Sequence, residues 1–223
     1  MLRVELSLQV SCILRERMTE FVATVTCRQL RPAVFLDRDG VINRKAPDGF
    51  YITSVHEFKL LPDVTECVKR LNRAGLPVII VTNQRGMATG SITSLDRIHH
   101  RMLRQFSKAG AYLSGIYVCP HDYSDGCECR KPLPGMLLQA ADEHKVDLAG
   151  SWMIGDSNSD VQAGTAAGCR TIRISASPSG EDEVEPDYKA TDLKDAVDWI
   201  LQRSESSSIF LPHDKLQDIL AWS

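Results

Sequence analysis

From residue 33 onward, short apolar runs alternate with stretches in which apolar residues recur at helical spacing. The runs are AVFLD (33–37), PVIIVTN (77–83), GIYVCP (115–120), SWMIGD (151–156) and TIRIS (171–175). Most lack a polar alternation, the pattern of parallel strands covered on both faces. Between them Val64, Cys67, Val68 and Leu71 repeat at i, i+3, i+4 and i+7 inside a helix read over 63–74. Leu95, Ile98, Met102 and Phe106, with Leu103 alongside, mark a second helix, and residues 134–145, 159–168 and 191–202 read as three more. Strands and helices in alternation predict an α/β fold, a Rossmann-like doubly wound parallel sheet with helices on both faces.

Ligands of such sheets bind beyond the carboxyl ends of the strands. Asp37, Thr82-Asn83, Cys119-Pro120-His121 and Asp156 all stand at the ends of predicted strands. Four polar elements far apart in sequence are thus expected on one sheet edge. The polar, acidic segment 175–192 reads as a surface loop, SESSS (204–208) as a flexible linker and 209–223 as an amphipathic tail helix. The expected organisation is an N-terminal extension over 1–30, one domain over 31–203 and a tail over 204–223.

Composition narrows the class. A chain of 223 residues with 43% hydrophobic and 25% charged residues suits one soluble domain. A formal net charge of −3 leaves no bulk electrostatic footprint for nucleic acid. No apolar run approaches the roughly 18–20 residues of a membrane span. The seven cysteines are odd in number and mostly scattered, which points to reduced thiols in the cytoplasm rather than to a secreted disulfide framework. A monomer is expected. The first thirty residues open with a mildly apolar run, but Glu5 and Gln9 interrupt it and Arg15, Glu16 and Arg17 close it without a cleavage signal. They read as an extension, or as residues ahead of a true start at Met18.

Two clusters carry the chemistry. FLDRDGVIN (35–43) sets Asp37 and Asp39 two apart where a buried strand enters a loop. Carboxylates this close repel unless a cation offsets them, so a hard metal such as Mg²⁺ is implied; the bland alternative is a polar strand end. An EF-hand is excluded, because its glycine belongs at the sixth position of the loop and here it is the fourth. CPHDYSDGCECRKP (119–132) supplies Cys119, His121, Cys127 and Cys129, the ligand set of a closed structural Zn²⁺ site. A disulfide or unligated thiols are the alternatives. With four protein ligands such a metal has no open position for water, so it would shape the loop that delivers Arg130 and Lys131.

Asp37 and Asp39, then Thr82 in VTNQ, Lys131 in RKP, and Asp156 with Asp160 in IGDSNSD, in that order, resemble the haloacid dehalogenase (HAD) superfamily of phosphohydrolases. By that resemblance Asp37 is the nucleophile and forms an aspartyl-phosphate, and Asp39 is the general acid and base. Thr82 and Lys131 hold the phosphoryl oxygens. Asp37, Asp156 and the main-chain carbonyl of Asp39 face Mg²⁺, and Asp160 orients Lys131 or a water. The gaps from Asp39 to Thr82 and from Thr82 to Lys131 hold no cap domain, so loops must recognise the substrate. FLDRDGVIN, VTNQRGMATG, the zinc loop and PGMLLQA are together similar to the D-glycero-D-manno-heptose 1,7-bisphosphate 7-phosphatase family. That similarity implies a phosphorylated sugar as substrate, with Asn83, Gln84, Arg85, Arg130 and the loop 46–51 around it, and Arg85 and Arg130 suited to its second phosphate.

The zinc loop is short, with five residues between His121 and Cys127, a spacing shared with histidinol-phosphate phosphatases. Histidinol phosphate is therefore the competing substrate. A zinc-stapled binding module without catalysis is the reading from another class, and the filled catalytic positions speak against it. His99-His100 reads as an exposed helix face, since neighbours on a helix point about 100° apart.

Overall fold

The computed structural model describes residues 30–47, 50, 52–85, 92–175 and 184–208. Six strands form one sheet: β1 (Val34–Leu36), β2 (Val78–Asn83), β3 (Gly115–Cys119), β4 (Trp152–Gly155), β5 (Arg170–Ile174) and β6 (Tyr188–Ala190). Their order is β3-β2-β1-β4-β5-β6, and every pairing is parallel. The helices are α1 (Val64–Arg73), α2 (Ile92–Lys108), α3 (Gly135–His144), α4 (Asn158–Ala167) and α5 (Leu193–Ser208). The chain winds outward from β1 through β2 to β3, then returns to the other side of β1 at β4. That reversal opens a crevice beyond the carboxyl ends of β1 and β4, where such folds bind ligands.

Because successive side chains of a strand face opposite ways, each strand feeds two cores. Val34, Leu36, Val78, Ile80, Trp152 and Ile154 pack with Val68 and Leu71 of α1, Ile98, Met102 and Phe106 of α2, and Val197 and Ile200 of α5. Ala33, Phe35, Ile79, Val81 and Met153 pack with Met136, Leu137 and Ala140 of α3 and with Ala163 and Ala167 of α4. This two-sided burial is why β1, β2 and β4 carry no polar alternation.

Two expectations are corrected. The segment 175–192, read wholly as a loop, contributes the edge strand β6 beside β5. Three residues between a proline-acidic stretch and a helix start carry too little periodicity to betray a strand. SESSS, read as a flexible linker, continues α5 to Ser208. Serine and glutamate are acceptable helix formers, and the apolar face of α5 propagates the helix through them. The readings of residues 1–29, of 86–90 in VTNQRGMATG, of parts of the 46–51 and 175–192 loops and of the tail over 209–223 lie outside the described residues. Among the described residues no helix is long and apolar enough to cross a membrane.

Candidate active site

Asp37 follows β1 directly, and its N–H donates to the Ile154 carbonyl at 2.9 Å, so the ladder to β4 runs on past the strand. Gln84 N–H likewise donates to the Cys119 carbonyl at 2.8 Å beyond β2. These extensions hold the strand ends rigidly side by side. Gly40 turns the chain after the two aspartates with φ +90, and a Cβ there would collide with the Asp156 carboxylate. Glycine is needed on both counts.

A cleft of about 210 Å³ lies over these ends, lined among others by Asp37, Asp39, Thr82, Asn83, Arg130, Lys131 and Asp156. The four separated motifs thus meet on one edge. Lys131 is 3% exposed, and its ammonium donates to Asp37 Oδ1 at 2.7 Å and to the Val81 carbonyl at 3.0 Å. A 2.5 Å ion pair with Lys131 serves Asp160 Oδ1. Burial disfavours the lysine's charge, but Asp160 and Asp37 outweigh it and hold Lys131 above its usual pKa. For Asp37 burial prevails over the attraction of Lys131, and with Asp160 also pushing upward the carboxyl is raised to about 7. Asp160 also accepts from the Ser157 N–H at 3.0 Å and the Ser157 hydroxyl at 2.6 Å, at the start of α4. Asp160 therefore stands directly beside Lys131.

The carboxylate oxygens of Asp37, Asp156 and Asp160 lie within 4.8 Å of one another. Three crowded hard-oxygen donors suit Mg²⁺. Burial also raises Asp156, which the Lys45 ammonium partly counters from 2.9 Å. The Asp39 side chain stands apart from this group. It accepts from Arg38 at 2.9 and 3.1 Å, from Asn43 Nδ2 at 2.7 Å and from Gln84 Nε2 at 2.8 Å.

The four predicted zinc ligands also converge. Cys119 Sγ lies 3.6 Å from Cys127 Sγ, which is 3.5 Å from Cys129 Sγ. His121 Nδ1 is 3.7 Å from the Cys119 sulfur and 3.2 Å from that of Cys129. A tetrahedron with Zn–S bonds of about 2.3 Å has edges of roughly 3.8 Å, so the group is spaced as a zinc shell requires. All three cysteines are free thiols rather than disulfides. The loop they close contains the 3-10 turn Tyr123–Asp125.

Substrate-facing residues are less uniform. Arg130 lines the cleft with its guanidinium 4.1 Å over the Tyr123 ring and donates to the His121 carbonyl at 3.0 Å, so the metal loop aims it. Arg85 lies 5.8 Å over the same ring and pairs with Asp122 at 3.4 Å. Asn83 spends its amide on the Lys131 main chain, donating at 3.0 Å and accepting at 3.1 Å. Gln84, expected at the entrance, is buried and is not part of the cleft wall.

Sequence reasoning assigned no role to Arg38, Asn43, Lys45 or Tyr123. All lie within quoted motifs or next to them, but only tertiary contacts reveal what they touch. His99, read as part of an exposed face, is half-buried, and Arg38 NH1 donates to its Nε2 at 3.5 Å. A guanidinium cannot accept, so His99 is neutral at Nε2. Burial first, then Arg38, lowers it from 6.5 to about 4. His100 is exposed, as expected.

Residues 128–196 match the HAD-hydrolase-like family model. The chain is 40% identical over 146 residues to the D-glycero-beta-D-manno-heptose-1,7-bisphosphate 7-phosphatase of Pseudomonas aeruginosa, covering 65% of this chain and 81% of that protein. It is 34% identical over 181 residues to the protein of that name from Escherichia coli, covering 76% and 88%. The D,D-heptose 1,7-bisphosphate phosphatase of Bordetella bronchiseptica, solved with magnesium and phosphate, superposes with a TM-score of 0.71 at 35% identity, over 77% of this chain and 99% of that one.

Proposed function

Because the chain belongs to the D-glycero-D-manno-heptose-1,7-bisphosphate 7-phosphatase family of HAD-like hydrolases, we propose that it is a Mg²⁺-dependent phosphatase that removes the 7-phosphate of that sugar bisphosphate. The observation that carries the reading is the Asp37 carboxylate with the Lys131 ammonium at 2.7 Å in a cleft that also holds Asp39 and Thr82.

An Asp37 carboxylate oxygen attacks phosphorus, and the bond from phosphorus to the sugar oxygen breaks. Asp39 gives its proton to the departing alkoxide, leaving an aspartyl-phosphate and the monophosphate. Asp39 then takes a proton from water as that water attacks phosphorus, which frees phosphate and restores Asp37. Thr82 and Lys131 supply donors to the phosphoryl oxygens where charge develops. Asp37, Asp156 and the Asp39 carbonyl would hold Mg²⁺, which when bound neutralises phosphoryl charge. Cys119, His121, Cys127 and Cys129 would hold a structural Zn²⁺ that fixes the loop carrying Arg130 and Lys131. Arg130, braced on Tyr123, and Arg85 are the cations offered to the second phosphate. Residence in the cytoplasm is part of the proposal, in keeping with five free thiols among the described residues.

The test is phosphate release, with Mg²⁺, from the α and β anomers of heptose 1,7-bisphosphate beside histidinol phosphate and fructose 1,6-bisphosphate. A strong preference for one heptose anomer is expected and would also support the two arginines as second-phosphate contacts. Preference for histidinol phosphate would move the substrate to amino-acid chemistry. Weak, equal turnover of all four would discard the sugar and keep the reaction.

A further inference from the structure

We infer that Gln84 is a positioning residue that aims two catalytic groups at once, the Asp39 carboxylate and the Thr82 hydroxyl, and that it does not contact substrate. The inference rests on the acid–base reading of Asp39 and the phosphoryl-binding reading of Thr82.

The Gln84 side chain is buried at 3% exposure, beneath the cleft rather than in its wall. Its Nε2 donates to Asp39 Oδ2 at 2.8 Å and to Thr82 Oγ1 at 2.9 Å. An amide nitrogen has two hydrogens, and here each has a separate acceptor. With a carboxylate on one side, only the nitrogen end of the amide can face these groups without repulsion.

Two consequences follow from hydrogen-bond valence. Thr82 Oγ1 already accepts from Gln84, so its own proton is left to donate elsewhere, and Thr82, though almost wholly buried, belongs to the cleft wall. Thr82 is thereby set as a donor toward a phosphoryl oxygen rather than as an acceptor. Asp39 is held on the opposite flank: Asn43 occupies Oδ1, Arg38 reaches both oxygens, and Gln84 takes Oδ2. Five donor contacts from three side chains fix the plane of the carboxylate. Arg38 is itself wholly buried and braced by His99, so the clamp cannot drift. Positioning of this kind matters because a misplacement of about 1 Å can cost on the order of 100-fold in rate.

Gln84→Met keeps the volume and removes both donors. Gln84→Glu keeps the shape, sets a second carboxylate against Asp39 and accepts the Thr82 proton, turning that hydroxyl away from the cleft. Each is compared with the native enzyme and with Asp39→Asn on the preferred sugar phosphate and on 4-nitrophenyl phosphate, whose leaving group needs little protonation. Zinc content and Tm are recorded for each protein.

The expected result is kcat reduced roughly 10- to 100-fold in Gln84→Met and further in Gln84→Glu, with KM within about threefold. In the first step, read as the pre-steady-state rate of leaving-group release, the loss should be smaller on 4-nitrophenyl phosphate, where Asp39 is needed only as the later base and the Thr82 half of the effect remains. A raised KM with kcat within about twofold would make Gln84 a substrate contact and overturn the inference. An equal loss in that first-step rate on both substrates would remove the Asp39 half. If Gln84→Met does not fold, the near-isosteric Gln84→Glu decides by the same split. Asp39→Asn separates the two levels: full turnover by that variant refutes the acid–base reading, whereas its loss beside a KM-only effect at Gln84 refutes this inference alone.

Discussion

The Lys131 ammonium is paired with Asp160 at 2.5 Å, with no more than 2% of either side chain exposed. A buried lysine is tolerated because two carboxylates, Asp160 and Asp37, face it together. The same arrangement aims the cation at the reacting end of the cleft and ties the first turn of α4 to the end of β1.

Asp160→Asn removes one of these counter-charges and leaves Lys131 leaning on Asp37 alone. We expect a loss of roughly 3 kcal/mol of stability, since breaking a buried pair strands a charge. Turnover should also fall about tenfold, because Lys131 would be drawn toward the nucleophile and away from the phosphoryl oxygens. Urea unfolding and steady-state kinetics check both; unchanged stability would contradict the pairing.

Asp37→Asn deletes the nucleophilic charge while Lys131 keeps Asp160. Turnover should vanish with fold and zinc content intact, as read by circular dichroism and metal analysis. Residual activity above a few per cent would remove Asp37 from its role.

Cys127→Ser takes one thiolate from the cluster that closes residues 119–129. A structural Zn²⁺ contributes folding free energy, so bound zinc should drop and Tm should fall by roughly 5 °C or more. Activity should fall with it, because Arg130 and Lys131 follow the last ligand directly. Full zinc content with an unchanged Tm would exclude Cys127 as a ligand.

His99 gives the fold a defined response to acid. Its neutral ring is held at about 4 in the folded chain against 6.5 in the unfolded one. Between those values the unfolded chain binds a proton that the folded chain refuses, so stability falls as pH drops from about 6.5 toward 4. At pH 5 the loss amounts to about 2 kcal/mol from this residue. His99→Gln should flatten the Tm–pH curve over that range relative to the native protein; parallel curves would show that His99 does not titrate in this way.

The apolar runs and helical periods sufficed for the parallel α/β fold, because β1, β2 and β4 are buried on both faces and their sequences answer only to burial. The same logic placed Asp37, Thr82, Cys119 and Asp156 on one edge, since a parallel sheet brings every strand's carboxyl end to the same side. The cysteine–histidine set was legible because thiolates and imidazole in that number have few other uses. What the chain could not declare was how long side chains divide their hydrogen bonds. Gln84 and Asn83 look alike in VTNQ, yet one reaches under the cleft to Asp39 and Thr82 while the other binds the backbone of Lys131. Arg38 sits between two aspartates in sequence and turns wholly inward to clamp one of them, with His99 from α2 behind it. The distant members of these sets, Gln84 with Asp39, Asn83 with Lys131 and Arg38 with His99, join residues 45 to 61 positions apart. Periodicity records which face a residue takes, whereas the partner it meets there is decided only when distant elements pack.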